Sequence, residues 1–297
     1  MTYCVAMRLN DGLVFLADSR TNAGVDQIST FRKLTVFEHP GERLMVLMSA
    51  GNLAITQAVR QIVCEAPPDP SAATVWNVKS LFDAVRIVGE AVRTVHQRDG
   101  AALKEGGIEF NCSFIFGGQI RGEVTRLFQV YSAGNFIEAT PENPYLQIGE
   151  SKYGKPIVDR VITPETSLGE AAKCALISMD STLRSNISVG LPLDLLVYEV
   201  GSLRVTKFVY IDESNEYMRM IRSTWGARLR QVFGEIPDPA WRDAPAHPGA
   251  MRLQTQESAP VRAPLPPGLD SVAGGVPQTV QIQLVAQQQR GTDSPRG

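Results

Sequence analysis

The sequence predicts an α+β fold built as a four-layer αββα sandwich, helices outside and two sheets within. Three observations carry this. Strand-like and helical patterns come in blocks: strands, two helices, strands, two helices, then strands again. The inner strand runs are apolar on both faces. Each helix has a single apolar stripe, so it needs one sheet face to cover it.

The first block opens with apolar runs over residues 2–9 and 13–18, joined by Asn10-Asp11-Gly12, a strong hairpin signal. With the turn centred near Asp11, opposite residues sum to about 21–22. Thr2 then faces Ser19 or Arg20 and lies diagonal to Asp18. Residues 21–30 read as a polar connection, followed by strands over 31–37 and 44–49 across His39-Pro40-Gly41. On the first of these, Arg32 and Lys33 occupy opposite faces, so one of them must point to the apolar side. Ala50-Gly51-Asn52 opens a helix with Ile55, Ala58, Val59 and Ile62 on one stripe, ending before Pro67-Pro68.

The clearest helix carries Val78, Leu81, Val85, Val88, Val92 and Val95, with an end expected near Asp99-Gly100. Strands follow over 108–117, 124–132, 136–138 and 145–148. Helices are predicted over 151–161 and 168–185, the second with Leu168, Ala172, Ala175, Leu176, Met179 and Leu183 on one face. A hairpin over 194–200 and 203–210 and a rather polar helix over 213–234 complete the pattern. Composition changes near Ile236: the last 61 residues hold ten of the nineteen prolines and no lysine. The domain is therefore placed at 1–235, and 236–297 is read as a largely disordered Pro/Gln-rich tail. Within it Gln278–Val285 alternates polar and apolar, as a strand added to a neighbouring sheet edge would.

Composition narrows the function. A net charge of −2 over 297 residues argues against nucleic-acid and membrane-surface partners. No apolar run is long enough to cross a bilayer, and the N-terminus lacks a signal-peptide pattern. The expected location is cytoplasmic. The four cysteines, Cys4, Cys64, Cys112 and Cys174, are widely spaced and read as small buried hydrophobes. Gly149 to Lys155 matches G-x-x-x-x-G-K, but Pro156 replaces the hydroxyl that a nucleotide-bound Mg²⁺ requires, so nucleotide binding is rejected. The three histidines, His39, His96 and His247, show neither zinc spacing nor a Ser-His-Asp arrangement. No metal or cofactor is expected.

A hydrolase without a histidine needs another base. If Met1 is removed, Thr2 presents a hydroxyl and an α-amine whose reference pKa is about 8. That amine is substantially neutral near pH 7 and can accept the hydroxyl proton, directly or through water.

The combination of Thr2, Ala17-Asp18-Ser19-Arg20, Phe31-Arg32-Lys33, Ser49-Ala50-Gly51-Asn52 and the helix Ala175–Asn186 resembles the proteasome β-subunit and HslV family of N-terminal-nucleophile hydrolases. Within that family the resemblance is greatest to the Anbu, or ancestral β subunit, branch, and it spans about residues 2–235. It implies the Ntn-hydrolase fold and a threonine-type peptidase. Thr2 would be the nucleophile, Asp18 and Lys33 its charge partners, the Gly51 N–H the oxyanion donor, and Asp180 a support for the new amino terminus. Thr21, Thr30 and Ser49 would line a substrate pocket. The family's supporting serine matches poorly here: its Gly-Ser-Gly corresponds to Gly149-Glu150-Ser151, and Ser181 or Ser185 is available after Asp180. The resemblance implies peptide or protein substrates and a homo-oligomer, and leaves an ATPase or other partner open. The rival readings are an amidase acting on small amides through the same Thr2 chemistry, and a catalytically weak assembly or binding scaffold.

Overall fold

In the computed structural model, two antiparallel five-stranded sheets lie face to face with a helical layer outside each. Residues 2–23, 27–65, 69 and 71–240 are described. The segment Gln278–Val285 and His247 lie outside them. The compact unit runs to Asp238.

The first sheet has the order β10-β1-β2-β11-β12, with β1 Tyr3–Leu9, β2 Gly12–Asp18, β10 Tyr145–Gly149, β11 Leu193–Glu199 and β12 Lys207–Ile211. The second has the order β5-β6-β7-β8-β9, from β5 Leu34–His39, β6 Arg43–Gly51, β7 Cys112–Ile120, β8 Arg126–Val130 and β9 Phe136–Glu138. Alternation along each strand splits its side chains between two cores. Cys4, Ala6, Phe15 and Leu196 meet Leu44, Val46, Met48 and Ile115 between the sheets. Tyr3, Val5, Leu16 and Leu195 face α3 (Ser151–Val161) and α4 (Leu168–Ser185). Met45, Leu47, Phe114 and Phe116 face α1 (Leu53–Cys64) and α2 (Leu81–Glu105). A further helix, α5 (Glu216–Glu235), packs on this framework through Met218 and Ile221.

The four-layer architecture is the one predicted, and the boundaries of α3, α4 and β9 coincide with their predicted ranges. Local chemistry accounts for the ends. Asn52 caps α1 by accepting from the amides of Ala54 and Ile55. Ser167 and Glu170 form a capping box on α4.

Several expectations are corrected. The strand expected from residue 31 begins only at Leu34, so Phe31, Arg32 and Lys33 precede it. The connection at 21–30 contains a small antiparallel pair, β3 Arg20–Ala23 and β4 Gln27–Thr30. These short strands are too polar to show an alternating pattern. The helix expected to stop near Gly100 continues to Glu105, because one interior glycine costs only about 1 kcal/mol and the stop comes at Gly106. Cys64, on the last turn of α1, is exposed, whereas Cys4, Cys112 and Cys174 are buried as expected.

Candidate active site around Thr2

The β1–β2 register is Cys4 opposite Ala17 through Leu9 opposite Gly12, a constant sum of 21. Continued outward, this sets Tyr3 against Asp18, with Thr2 one step further, as the hairpin spacing predicts. The Tyr3 amide donates to Asp18 Oδ1 at 3.0 Å. Lys33 Nζ reaches Asp18 Oδ2 at 2.8 Å and donates to the Arg20 carbonyl at 2.5 Å. Of the two adjacent basic residues, Lys33 turns inward and is 7% exposed, while the Arg32 side chain is 59% exposed. Arg32 lies 3.9 Å from Asp194 and over the rings of Phe208 and Tyr210.

Asp18 is fully buried. Burial pushes its carboxyl above the ordinary value of 3.8, against the pull of the Lys33 ammonium and the amides of Tyr3 and Gly190. The folded chain therefore holds this proton more tightly than the unfolded chain. The stability contributed by the group is full below pH 3.8 and is lost as pH rises through the folded-state value. Denaturant titrations across that window are expected to show this slope in the wild type and its loss in Asp18→Asn.

Thr2 itself is 7% exposed. Its backbone is held by the β10–α3 junction, where Glu150 N–H donates to the Thr2 carbonyl at 2.7 Å. Gly149 sits there with φ +80°, and a Cβ at this position would lie 1.9 Å from the Thr2 oxygen. Both the left-handed backbone and the close approach require glycine. Gly149→Ala is therefore expected to displace Thr2 and lower turnover by roughly 100-fold. Comparing kcat with the urea midpoint would separate that loss from global destabilisation.

Next to Thr2, the buried Tyr3 hydroxyl pairs with Ser178 Oγ at 2.6 Å and accepts from Gln147 Nε2 at 2.5 Å. Burial pushes the Tyr3 phenol up, so it stays neutral as the anchor of this network.

A cleft of about 290 Å³ opens beside Thr2, lined among others by Lys33, Ser49, Gly51 and Thr21. Gly51 ends β6 at φ +114°, and a Cβ there would meet the Asn111 carbonyl at 2.5 Å. The glycine therefore permits the turn from β6 into α1 directly beside Thr2. Thr2, Asp18, Lys33, Gly51, Thr21 and Ser49 thus come together. A second cavity, about 310 Å³ at the far end of the β1–β2 hairpin around Arg8 and Asn10, contains none of the predicted site residues.

Two predicted site residues lie elsewhere. Thr30 is exposed, opposite Arg20 in the β3–β4 pair, and is not among the cleft-lining residues. The buried Asp180 carboxylate has its partners among the described residues in Arg184 and Arg222, each at 3.3 Å, which tie α4 to α5. Ser181 donates back to Ile177 within its own helix, and Ser185 is exposed.

The segment 186–192 was missed. It supplies the Gly190 amide to Asp18 and the Pro192 carbonyl to both Ser19 N and Ser19 Oγ. It also offers the Ile187 carbonyl to Arg20 Nη1 at 3.2 Å. Its only sequence signals were Gly190 and Pro192 after a helix, which mark a turn without indicating its destination. No group of three or more potential metal ligands occurs among the described residues, and none of their helices is long and apolar enough to cross a membrane.

No family model matches the chain, and no curated protein matches it. Solved structures do. The chain is similar to Anbu (ancestral beta-subunit) from Yersinia bercovieri at 53% identity and a TM-score of 0.75, over 80% of this chain and 99% of that one. A (Gly-1) mutant of Anbu from Hyphomicrobium sp. strain MC1 is 51% identical with a TM-score of 0.75, over 80% and 99% respectively. Anbu from Pseudomonas aeruginosa, solved as a helical assembly of the Anbu complex, is 49% identical with a TM-score of 0.76, over 80% and 98%.

Proposed function

The chain belongs to the Anbu family of proteasome-related proteins, and on that footing we propose that it is a threonine-type N-terminal-nucleophile peptidase with Thr2 as its reacting residue. One observation carries the reading. The buried Lys33–Asp18 pair, 2.8 Å apart, is fastened to the Tyr3 amide one residue from Thr2 and faces a cleft that Thr2, Lys33 and Gly51 share. A buried ion pair is a costly way to stabilise a fold, so its placement beside a terminal hydroxyl favours a chemical role.

In the proposed reaction Met1 is first removed. The freed Thr2 α-amine takes the proton from Thr2 Oγ, directly or through one water, and Oγ adds to the scissile carbonyl. The Gly51 N–H receives the oxyanion. Lys33, paired with Asp18 at 2.8 Å, brings a cationic side chain to the site. It stabilises the attacking oxygen and opposes protonation of the amine. Collapse breaks the C–N bond, and the ammonium returns its proton to the leaving amine. Thr2 now carries the acyl group as an ester. Water then attacks this ester, giving its proton to the same amine; the acyl C–Oγ bond breaks, the ammonium passes that proton to Thr2 Oγ, and the carboxylic product leaves with Thr2 regenerated.

Peptide or protein substrates follow from this reading, as does assembly into a homo-oligomer. The related P. aeruginosa protein forms a helical assembly. Trapping with an electrophile that captures a vicinal amine and hydroxyl together, followed by peptide mapping, tests the proposal. An adduct confined to Thr2 is the expected result; an unmodified Thr2 after complete exposure contradicts it.

A further inference from the structure

Tyr3 joins the residue beside it, Thr2, to three other elements. Its amide donates to Asp18 Oδ1 at 3.0 Å, and its backbone runs opposite Gly149 of β10. The side chain is fully buried in the core between the first sheet and the α3–α4 layer. At its far end the phenol accepts from Gln147 Nε2 at 2.5 Å and pairs with Ser178 Oγ at 2.6 Å. Ser178 is itself fully buried, on α4. The third contact is Gly154 of α3, where a Cβ would lie 2.6 Å from the phenolic oxygen and 2.2 Å from Ser178 Oγ. Glycine there lets α3 close over the pair.

Sequence order gives this cluster its meaning. Gln147 lies two residues before Gly149, and Gly154 four residues after Glu150. Gly149 and Glu150 form the turn that holds Thr2: the Glu150 amide donates to the Thr2 carbonyl at 2.7 Å, and Gly149 leaves room for that carbonyl. The phenol therefore grips both flanks of the turn, while the Tyr3 amide fixes the strand side through Asp18. Phenylalanine would bury the same ring and lack only the hydroxyl. A satisfied polar pair inside a core contributes more to a unique geometry than to net stability.

We infer that Tyr3 is a positioning residue for the Thr2 hydroxyl and amine, acting through its phenol on the Gly149–Glu150 turn. This rests on Thr2 being the nucleophile. Without the phenol, Gln147 Nε2 and Ser178 Oγ lose their shared partner, the turn gains freedom, and Thr2 shifts relative to Lys33 and the Gly51 N–H. An amine further from the Lys33 ammonium is easier to protonate. Turnover falls steeply with such a shift, since a displacement on the order of 1 Å costs about 100-fold.

The test compares Tyr3→Phe and Ser178→Ala with Tyr198→Phe, each in the full-length protein. Tyr198 is an equally buried tyrosine whose hydroxyl donates to Gln119, away from the Thr2 cleft, and serves as the control. Peptide hydrolysis is read as kcat and KM across pH, beside urea midpoints and the rate of Thr2 labelling by the amine-and-hydroxyl-capturing electrophile. Tyr3→Phe and Ser178→Ala are expected to lower kcat roughly tenfold with KM within about twofold, and to slow labelling by a similar factor. Both should also move the acid limb of kcat/KM to higher pH. Tyr198→Phe should lower the urea midpoint and leave kcat, the acid limb and labelling unchanged. The double variant of Tyr3→Phe with Ser178→Ala should lose no more kcat than either alone, since both remove the same hydrogen bond. Wild-type kcat and pH profile in Tyr3→Phe and Ser178→Ala, or an equal loss in Tyr198→Phe, overturn the positioning role and leave the nucleophile assignment standing. A wild type never labelled at Thr2 overturns the nucleophile assignment, and the positioning role falls with it.

Discussion

Thr2→Ala is expected to lower peptide hydrolysis by at least roughly 1,000-fold and leave the fold intact. The substitution removes the hydroxyl that attacks, and with it the only route to an acyl-enzyme at this terminus. What holds residue 2 in place is backbone: the Glu150 amide on its carbonyl and the close approach of Gly149. Neither needs the threonine side chain. The melting temperature and oligomer size of the variant should therefore match the wild type. Thr2→Ser keeps the hydroxyl and is expected to retain measurable activity. Steady-state hydrolysis of a peptide library alongside thermal melts checks both variants. Wild-type turnover in purified Thr2→Ala would place the chemistry elsewhere.

Lys33→Ala should have the next largest effect, because it removes two things at once. It leaves the fully buried Asp18 carboxylate without its counter-ion, a loss worth about 3–5 kcal/mol for a buried pair. For a domain of this size that corresponds to a fall in Tm of roughly 6–20 °C. Asp18 would respond by taking up a proton, so the destabilisation should be greatest at neutral pH and shrink on acidification. Activity should fall further than stability explains, since the positive charge beside the Thr2 hydroxyl is gone. Lys33→Arg keeps a charge, but its planar fork does not reproduce the compact ammonium between Asp18 Oδ2 and the Arg20 carbonyl. It should restore stability more than turnover. Urea titrations at pH 5 and pH 7.5 paired with kcat measurements distinguish the two losses. A Lys33→Ala protein as stable as wild type at both pH values would remove the ion pair from its proposed role.

The parts of the site legible in the sequence are those set by local geometry. Asn10-Asp11-Gly12 defines a tight turn, a tight turn defines a register, and the register brings Asp18 to the amino terminus. Arg32 and Lys33 were expected to occupy opposite faces of one strand, so that one basic residue would turn inward; they precede β5, which begins at Leu34, and Lys33 is the one that turns inward. That it is Lys33 depends on Asp18 being buried across the sheet interface, which strand alternation alone does not specify. The roles of Tyr3, Gly149 and Gly190 escaped notice for a related reason. Each acts on a partner more than a hundred residues away: Tyr3 on Ser178, Gly149 on Thr2, and Gly190 on Asp18. Nothing in their immediate neighbours distinguishes them from an ordinary strand tyrosine or turn glycine.

The helices and sheet layers were read well because stripes of valine and leucine repeat over several turns, whereas the polar β3–β4 pair has no such repeat. The placement of Asp180 separates two kinds of inference. Its position on α4 was predicted correctly, but its role came only from resemblance. Its partners among the described residues are Arg184 and Arg222, which bind helix to helix.

Every step of the proposed chemistry depends on a free amine at Thr2. Intact mass spectrometry of the purified full-length protein, with Thr2→Ala as a processing control, reads that directly. The account predicts a wild-type mass lower than the encoded chain by one methionine residue, with threonine as the first residue on N-terminal sequencing. A protein that retains Met1 in full and still hydrolyses peptides would contradict it.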